Sequence, residues 1–158
     1  MTRKRSTYRP RWARPLPMDV ARSQATRLTP DELAKVMVPL RGALDQLRRG
    51  LASDHDWAVL AGSLGMAQTI ERQRVVRGLT EHLQAADRAL VAIEARASST
   101  GRWRSPTLYF HEIDDVCTFV DLHEFQLQQL SYGEFRRAYT TTEGQARSRG
   151  AEVVHAVG

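Results

Sequence analysis

The sequence predicts an all-α protein, a helical bundle of four longer helices plus a short fifth, with an extended N-terminal arm. The first observation is a central stretch, residues 53–97, in which apolar side chains recur every three or four positions, as on one face of a helix. The second is that helix-capping sequences separate the periodic runs. Two helices cannot bury both apolar stripes alone, so the flanking segments are expected to complete the core. The stripes contain Trp57, Leu60, Ala61, Leu64 and Ala67, and then Val76, Leu79, Leu83, Ala86, Leu90 and Ile93.

The first helix of the predicted bundle begins after Thr29. This threonine can cap the helix, Pro30 suits the first helical position, and Glu32 completes a capping box. Gly50 ends the run. Pro39 lies inside it and removes a backbone hydrogen-bond donor. We expect a helix that is kinked there, and the alternative is a short extended piece followed by a helix that starts at Pro39.

The second and third helices occupy the central stretch and meet near Gln73. Ser53 is the expected N-cap of the second helix, and residues 98–101 end the third. Gly62, Ser63 and Gly65 are poor helix formers. We therefore expect these small residues to allow the close approach of a neighbouring helix.

The fourth and fifth helices follow two further capping sequences. Ser105 and Pro106 predict the start of the fourth, and Ser131 with Glu134 forms a capping box that opens a short fifth helix. From Thr140 onward the residues are small and polar, which is typical of a frayed terminus. The predicted organisation is a basic extended arm over residues 1–28, a helical bundle domain over residues 29–139 and a flexible C-terminal tail over residues 140–158.

Positive charge is concentrated at the N-terminus. The chain has a net charge of +5, yet residues 1–27 carry eight Lys or Arg residues against one acidic residue, a local charge of +7. The remaining residues carry fifteen basic side chains against seventeen acidic ones, a charge of −2. Arginine greatly outnumbers lysine, which favours bidentate phosphate contacts, although a GC-rich genome would produce the same bias.

The arm combines these cations with aromatic rings and three prolines that oppose a helix. Arginines can contact phosphates while Tyr8 and Trp12 stack on bases. The alternative is that the arm enters an acidic groove on another protein or on a neighbouring subunit. The loop before the fourth helix is a second basic place. The predicted nucleic-acid or partner-binding residues are Arg3, Lys4, Arg5, Tyr8, Arg9, Arg11, Trp12, Arg14, Arg102, Trp103 and Arg104.

A third arginine group lies at the joint between the second and third helices. It consists of Arg72, Arg74 and Arg77. Solvated surface is the default interpretation of such residues. The group would contribute to binding only if the fold places it on one face with the arm.

The sequence contains no recognisable catalytic, metal or cofactor motif. His111 and Asp115 are about one helical turn apart, but no second histidine has the spacing of a zinc motif. Cys117 has no neighbouring base at helical spacing and is expected to be a buried core thiol. Ser63 lacks the Gly-x-Ser-x-Gly pattern of a nucleophile elbow. We therefore predict a protein that is not an enzyme and that holds neither metal nor cofactor.

Residues 3–11 (RKRSTYRPR) followed by a helical body resemble small uncharacterised proteins encoded in phages and prophages of proteobacteria such as Burkholderia. The body is similar as well, through residues 43–50 (ALDQLRRG) and 54–57 (DHDW). The resemblance covers most of the chain, but its motifs are compositional, so it transfers no activity and no functional residue. It implies an origin in a mobile element, and such origins favour small regulators, nucleic-acid binders and inhibitors of host defence.

A single cysteine excludes an internal disulfide and suits a reducing compartment. No apolar run approaches the ~18 residues of a membrane span, and no signal peptide follows the charged start. The expected location is the cytoplasm, that of the host cell if the protein is phage-encoded.

Together these features predict a non-enzymatic phage-type protein that contacts nucleic acid through its arginine-rich arm. The alternative is an inhibitor or adaptor that binds a host protein complex, for example an anti-defence (anti-CRISPR-like) protein. A structural subunit whose arm docks on a neighbour is a third possibility. No helix-turn-helix is recognisable, which argues against the usual readout in the major groove.

Overall fold

The computed structural model describes residues 17–156, with side chains through residue 149. This range contains six α-helices and the loops that connect them. An antiparallel bridge between Arg27 and Ser131 is isolated, and the described residues contain no named strand. The all-α prediction is confirmed. No helix in the described range has the length and apolar character that a membrane span requires. The helices are α1 Pro17–Ala25, α2 Pro30–Arg48, α3 Asp54–Arg72, α4 Thr80–Ala97, α5 Phe110–Gln129 and α6 Tyr132–Ala156.

Helices α2 to α5 form an up-and-down bundle. Each packs on the next one along the chain, α2 and α5 close the ring, and α3 also reaches α5. The indole N–H of Trp103, in the α4–α5 loop, donates to the carbonyl of Ala52 in the α2–α3 loop over 2.9 Å, so these two loops share one end of the bundle. We call this the α4–α5 end. The opposite end, which carries the α3–α4 connection at residues 73–79, is the α3–α4 end.

The core consists of the apolar stripes that helical periodicity predicts. In α4 the stripe residues from Leu83 to Ile93 are buried, while Val76 and Leu79 precede the helix and are only partly buried. Trp57 packs half-buried against the core, and its indole N–H donates to the Leu90 carbonyl over 3.0 Å. The largest fully buried apolar side chains are Leu40, Leu47, Leu60, Ile70, Leu83, Ile93, Val116, Phe119, Leu127 and Leu130.

Side-chain caps start three helices as the sequence predicts. Thr29 and Ser53 each form a complete capping box, with Glu32 and Asp56 respectively. At α6, the Ser131 hydroxyl accepts the Glu134 N–H over 3.2 Å, and the Glu134 carboxylate accepts the Ser131 N–H over 2.8 Å. Helix α2 runs unbroken past Pro39, so the alternative of an extended piece before this proline is wrong.

Helix α5 begins later than predicted. Its first residue is Phe110, and the expected cap at Ser105 lies in a non-helical segment. Two side chains hold that segment. The guanidinium of Arg96 donates from Nε to the Thr107 carbonyl over 3.1 Å, and the Glu112 carboxylate accepts the Tyr109 N–H over 3.3 Å. The helix therefore starts where Glu112 can cap it.

The two terminal helices differ from the prediction. Residues 17–25, assigned to the extended arm, form α1, because a proline is compatible with the first turn of a helix. The predicted short fifth helix is α6, which has 25 residues and continues through much of the predicted flexible tail. Its polar stretch is held by α3, because Thr142 contacts Thr69 through their hydroxyl oxygens over 3.2 Å.

The glycines of α3 do not have the role expected for them. A Cβ on Gly62 would meet no atom within 4 Å, and one on Gly65 would lie 3.7 Å from the Thr142 Cγ2, an ordinary contact. The close approach occurs at Gly133, where a Cβ would lie 3.1 Å from the Gln24 carbonyl oxygen. This glycine lets α1 rest directly on α6.

Candidate functional site

The predicted binding residues fall into two groups. Those of the arm lie outside the described residues: Arg3, Lys4, Arg5, Tyr8, Arg9, Arg11, Trp12 and Arg14. Arg102 and Arg104 are exposed at the α4–α5 end. Trp103, between them, is half-buried, with its ring centroid 6.3 Å from that of Trp57. Because its N–H is bonded to Ala52, the Trp103 indole links two loops of the fold.

The third arginine group forms the most concentrated basic feature among the described residues. Arg72, Arg74 and Arg77, which we call the arginine turn, connect α3 to α4 and line a cleft of about 560 Å³ together with Glu71 and Thr80. A second cavity of about 300 Å³ shares Glu71, Arg72 and Thr80 with it and adds Gln68 and Gln84. The two cavities therefore adjoin each other at the α3–α4 end, and Leu83 gives the second one an apolar wall.

The backbone of the arginine turn is strained at Arg74. Its φ is +61°, and it is the only non-glycine residue with a positive φ in the described part of the chain. Helices often end in this left-handed conformation, but glycine usually supplies it, as Gly50 does after α2 at φ +71°. A side chain with a Cβ costs roughly 1 kcal/mol there. The arginine at this position therefore lowers the free energy of unfolding relative to a glycine in the same backbone conformation.

Glu71 holds the turn from within. Its Oε1 accepts the backbone N–H groups of Gly78 (2.9 Å) and Leu79 (3.2 Å) and the hydroxyl of Thr80 (3.0 Å). Leu79, the N-cap residue of α4, has no side-chain acceptor of its own, so Glu71 supplies the cap from the preceding helix. The other oxygen, Oε2, is buried and has no hydrogen-bond partner among the described residues.

The guanidinium groups of the arginine turn retain donors. Arg72 donates from Nη2 to Thr69 Oγ1 over 3.0 Å and to Gln145 Oε1 over 3.2 Å, which anchors it while its Nε and Nη1 make no hydrogen bond to the described protein. Arg77 donates from Nε to the Arg74 carbonyl over 3.4 Å. The Arg74 side chain makes neither an ion pair nor a hydrogen bond with any described residue. Donors therefore remain available to a ligand.

Helix α1, to which residues 1–16 of the arm are joined, packs at the same end of the bundle. The N–H of Tyr132, at the start of α6, donates to the Thr26 carbonyl over 2.8 Å, so the chain leaves α1 beside the start of α6. Tyr132 follows the end of α5 directly, and Thr26 precedes the start of α2. The end of α5 and the start of α2 both lie at the α3–α4 end. Helix α1 has nine residues, a length of ~13 Å. Pro17, the first residue of α1, therefore lies within about that distance of Ala25, whereas Arg102 and Arg104 lie one helix length away.

A largely buried ion pair joins α4 to α5 at the α4–α5 end. Arg96 and Glu112 meet through both oxygens of the carboxylate, with 2.9 Å between Nη1 and Oε1, and the Arg96 guanidinium lies 4.8 Å from the Tyr109 ring centroid. Burial would raise the pKa of Glu112, but hydrogen bonds from Arg96 and from the Tyr109 N–H outweigh it and hold that pKa below its usual value. The hydrogen bond to Glu112 raises the pKa of Arg96. This pair is structural, because it sits between α4 and the start of α5.

The residues considered for chemistry in the sequence do not come together. His111 is exposed and stacks on Tyr109, with 5.9 Å between ring centroids. Cys117 is half-buried, and burial raises the pKa of its thiol, which disfavours the nucleophilic thiolate. Within the described range no three His, Cys, Asp or Glu side chains are grouped as metal ligands. The absence of enzymatic activity and of a metal stays a prediction.

An apolar groove of about 600 Å³ runs between α2, α3 and α6. Its walls include Val36, Pro39, Phe135 and Tyr139, and Gly62 contributes no side chain to its surface. This groove was not predicted from the sequence, because α6 was expected to end near residue 139. The two weak helix formers at residues 62 and 63 were its only signal.

The chain matches no protein-family model, and no curated protein or solved structure is significantly similar to it.

Proposed function

We propose that this protein binds nucleic acid without catalysing a reaction, and that its arginine-rich N-terminal arm supplies most of the affinity. The observation that supports the proposal is the distribution of charge. Residues 17–149 contain seventeen basic and seventeen acidic side chains, whereas residues 1–16 contain six basic side chains and no acidic one. The arm therefore carries the positive surplus of the chain.

The composition of the arm fits a phosphate backbone with unpaired bases. Five of the six cations in residues 1–16 are arginines, which bind phosphate through paired N–H donors. Tyr8 and Trp12 lie between them and can stack on bases of a single strand. The proposal includes the phage-type origin and the cytoplasmic location that the sequence suggested.

The test is the salt dependence of binding by the full chain and by a variant that lacks residues 2–15. Each neutralised phosphate contributes about −0.9 to the log–log salt slope on duplex DNA and about −0.7 on single strands. Engagement of the arm's cations predicts a slope of roughly −4 to −5, and the deletion should remove most of it. If the shortened chain binds as tightly as the full chain, or if neither binds at physiological salt, the proposal is wrong.

Two substitutions separate stacking from charge. Tyr8→Ala and Trp12→Ala keep every cation, so duplex binding should change little. On a single strand each should cost ~1–3 kcal/mol if the ring stacks on a base. Equal losses on both substrates would indicate that the rings support the arm in another way.

A protein-binding inhibitor or adaptor, acting for example on a host-defence complex, is the second candidate. The apolar groove between α2, α3 and α6 favours it, because grooves of this kind receive apolar side chains of partners. A pull-down from host lysate with nuclease treatment tests it. A partner retained after nuclease treatment by the natural chain, and lost with Gly62→Arg, would support this candidate over nucleic acid.

A further inference from the structure

We propose that the arginine turn is a phosphate-binding site that holds the sugar–phosphate backbone of the nucleic acid. This inference rests on the proposed function and adds to it a site on the folded body. It would make the body an active part of the interface rather than a neutral support for the arm.

The strained backbone at Arg74 is the observation that best supports this phosphate site. A glycine at residue 74 would relieve the left-handed conformation, as Gly50 shows at the end of α2. No fold contact explains the arginine, because its guanidinium makes no hydrogen bond or ion pair with a described residue. Strained residues of this kind concentrate at binding and catalytic sites. A phosphate ligand would give the exposed Arg74 side chain a role in this turn.

The chemistry of the cleft selects an anion with several oxygens. Three arginines and one acidic residue line the cleft of about 560 Å³. The Oε1 of that carboxylate, Glu71, already accepts three donors of the turn. Because Glu71 already accepts the first N–H groups of α4, the ligand would be held by arginine side chains and not by the helix terminus. Planar guanidinium groups match the paired oxygens of a phosphodiester.

The position of the cleft suits a ligand that also contacts the arm. The cleft and the end of α1 both lie at the α3–α4 end, and the adjoining cavity continues from the arginines past Gln68 and Gln84, whose amides can contact a backbone or a base edge. The basic loop with Arg102 and Arg104 lies at the other end of the bundle. We therefore expect one strand to contact the arm and the arginine turn together and to leave that loop free.

The test uses the double variant Arg74→Gly/Arg77→Gln in the full chain. Arg72 is left in place because it also ties α3 to α6. The matched control, Arg48→Gln/Arg88→Gln, removes two exposed arginines elsewhere on the bundle. Fluorescence anisotropy with a short labelled duplex should give a log–log salt slope that is lower by ~2 for the turn variant. The control should lose much less.

Stability measurements separate a binding role from a structural one. Arg74→Gly alone should keep or raise the midpoint of thermal unfolding, by up to roughly 4 °C, because the strain is relieved. It should also weaken binding. A variant that is more stable yet binds several-fold more weakly is the signature of a functional arginine. Lower stability would overturn the inference, since the arginine would then support the fold.

The outcomes distinguish this inference from the proposed function. If deleting residues 2–15 abolishes binding and the turn variant behaves like its control, the arm binds and the arginine turn does not. If the turn variant loses affinity and the deletion does not, the site is supported and the role of the arm is refuted. If the full chain fails to bind at physiological salt, both are wrong.

Discussion

His123 and Gln126 are hydrogen-bonded to each other inside the bundle, with 3.1 Å between His123 Nδ1 and Gln126 Oε1. The amide of Gln126 is oriented by its Nε2, which donates to the Ala67 carbonyl over 3.2 Å. Its oxygen is therefore the acceptor, and His123 carries its proton on Nδ1. The other ring nitrogen, Nε2, is buried and has no hydrogen-bond partner among the described residues. This pair joins α5 to α3 with a histidine that is neutral.

The first prediction is a loss of stability in mild acid. Burial lowers the pKa of His123 to about 4, against the opposing effect of its hydrogen bond to Gln126. The unfolded chain binds a proton near pH 6.5, and the folded chain only near pH 4. The contribution of neutral His123 is therefore complete above pH 6.5 and is lost as the pH falls toward 4. This amounts to roughly 3 kcal/mol, measurable by urea unfolding across that range.

The variant His123→Leu separates the effect of His123 on the pH dependence of stability from the effect of the carboxylates. His123→Leu should be less stable at pH 7, because Gln126 Oε1 loses its donor, but its stability should fall less steeply between pH 6.5 and 4. His82→Leu, at an exposed position, should keep the slope of the natural chain. Equal slopes in all three proteins would show that His123 is not the titrating group.

The second prediction concerns the ion pair of Arg96 and Glu112. The Glu112 side chain is 5% exposed, so Glu112→Gln leaves the Arg96 guanidinium against a neutral amide in a poorly hydrated place. We expect a loss of about 2–3 kcal/mol in the free energy of unfolding. The control is Arg41→Gln, which breaks a more exposed pairing with Asp121 and Glu124 and should cost less than about 1 kcal/mol. Similar costs for the two variants would contradict the assignment of a structural role to Arg96 and Glu112.

The third prediction tests the seating of α1 on α6. In Gly133→Ala the new Cβ would lie 3.1 Å from the Gln24 carbonyl oxygen, so α1 must move away from α6. Hydrogen exchange in residues 17–25 should accelerate, with little change in the core. Gly62→Ala is the control, because its Cβ meets no atom within 4 Å and its helix should gain up to about 1 kcal/mol. Unchanged exchange in α1 would show that this contact does not hold it.

The fourth prediction concerns the two tryptophans at the α4–α5 end. Trp57→Phe and Trp103→Phe keep an aromatic ring but remove an indole donor to a backbone carbonyl. Each should cost about 1 kcal/mol, and Trp57→Ala roughly 3 kcal/mol. Should Trp103→Phe leave the free energy of unfolding unchanged while weakening nucleic-acid binding, Trp103 would belong to the interface after all.

Much of the fold was predictable because it depends on local patterns. The stripe from Leu83 to Ile93 is buried, since a spacing of three and four residues puts these side chains on one helical face whatever the partner is. The caps at Thr29, Ser53 and Ser131 form for the same reason, because each uses atoms only three residues apart. Local periodicity and local hydrogen bonds act before any tertiary contact exists.

The length of α6 could not be predicted in this way. Its C-terminal half lacks an apolar stripe, and the described part is held by polar contacts from Thr142 and Gln145 to α3. These contacts join residues 73 positions apart in the sequence, so no short-range pattern encodes them. The late start of α5 has a similar cause, because Arg96 holds the segment before it.

The candidate site likewise has features that follow from local sequence and features that depend on tertiary contacts. The sequence by itself determined the all-α class, the surplus charge of the arm and the presence of three arginines near residue 74, because these are properties of composition and spacing. Only the tertiary structure decided that the arginine turn and the end of α1 share one end of the bundle and that Arg102 and Arg104 lie at the other. It also revealed the left-handed backbone at Arg74. The physical reason is that alternating helix directions and the capping of α4 by Glu71 are set by packing between elements, which residue order alone does not specify.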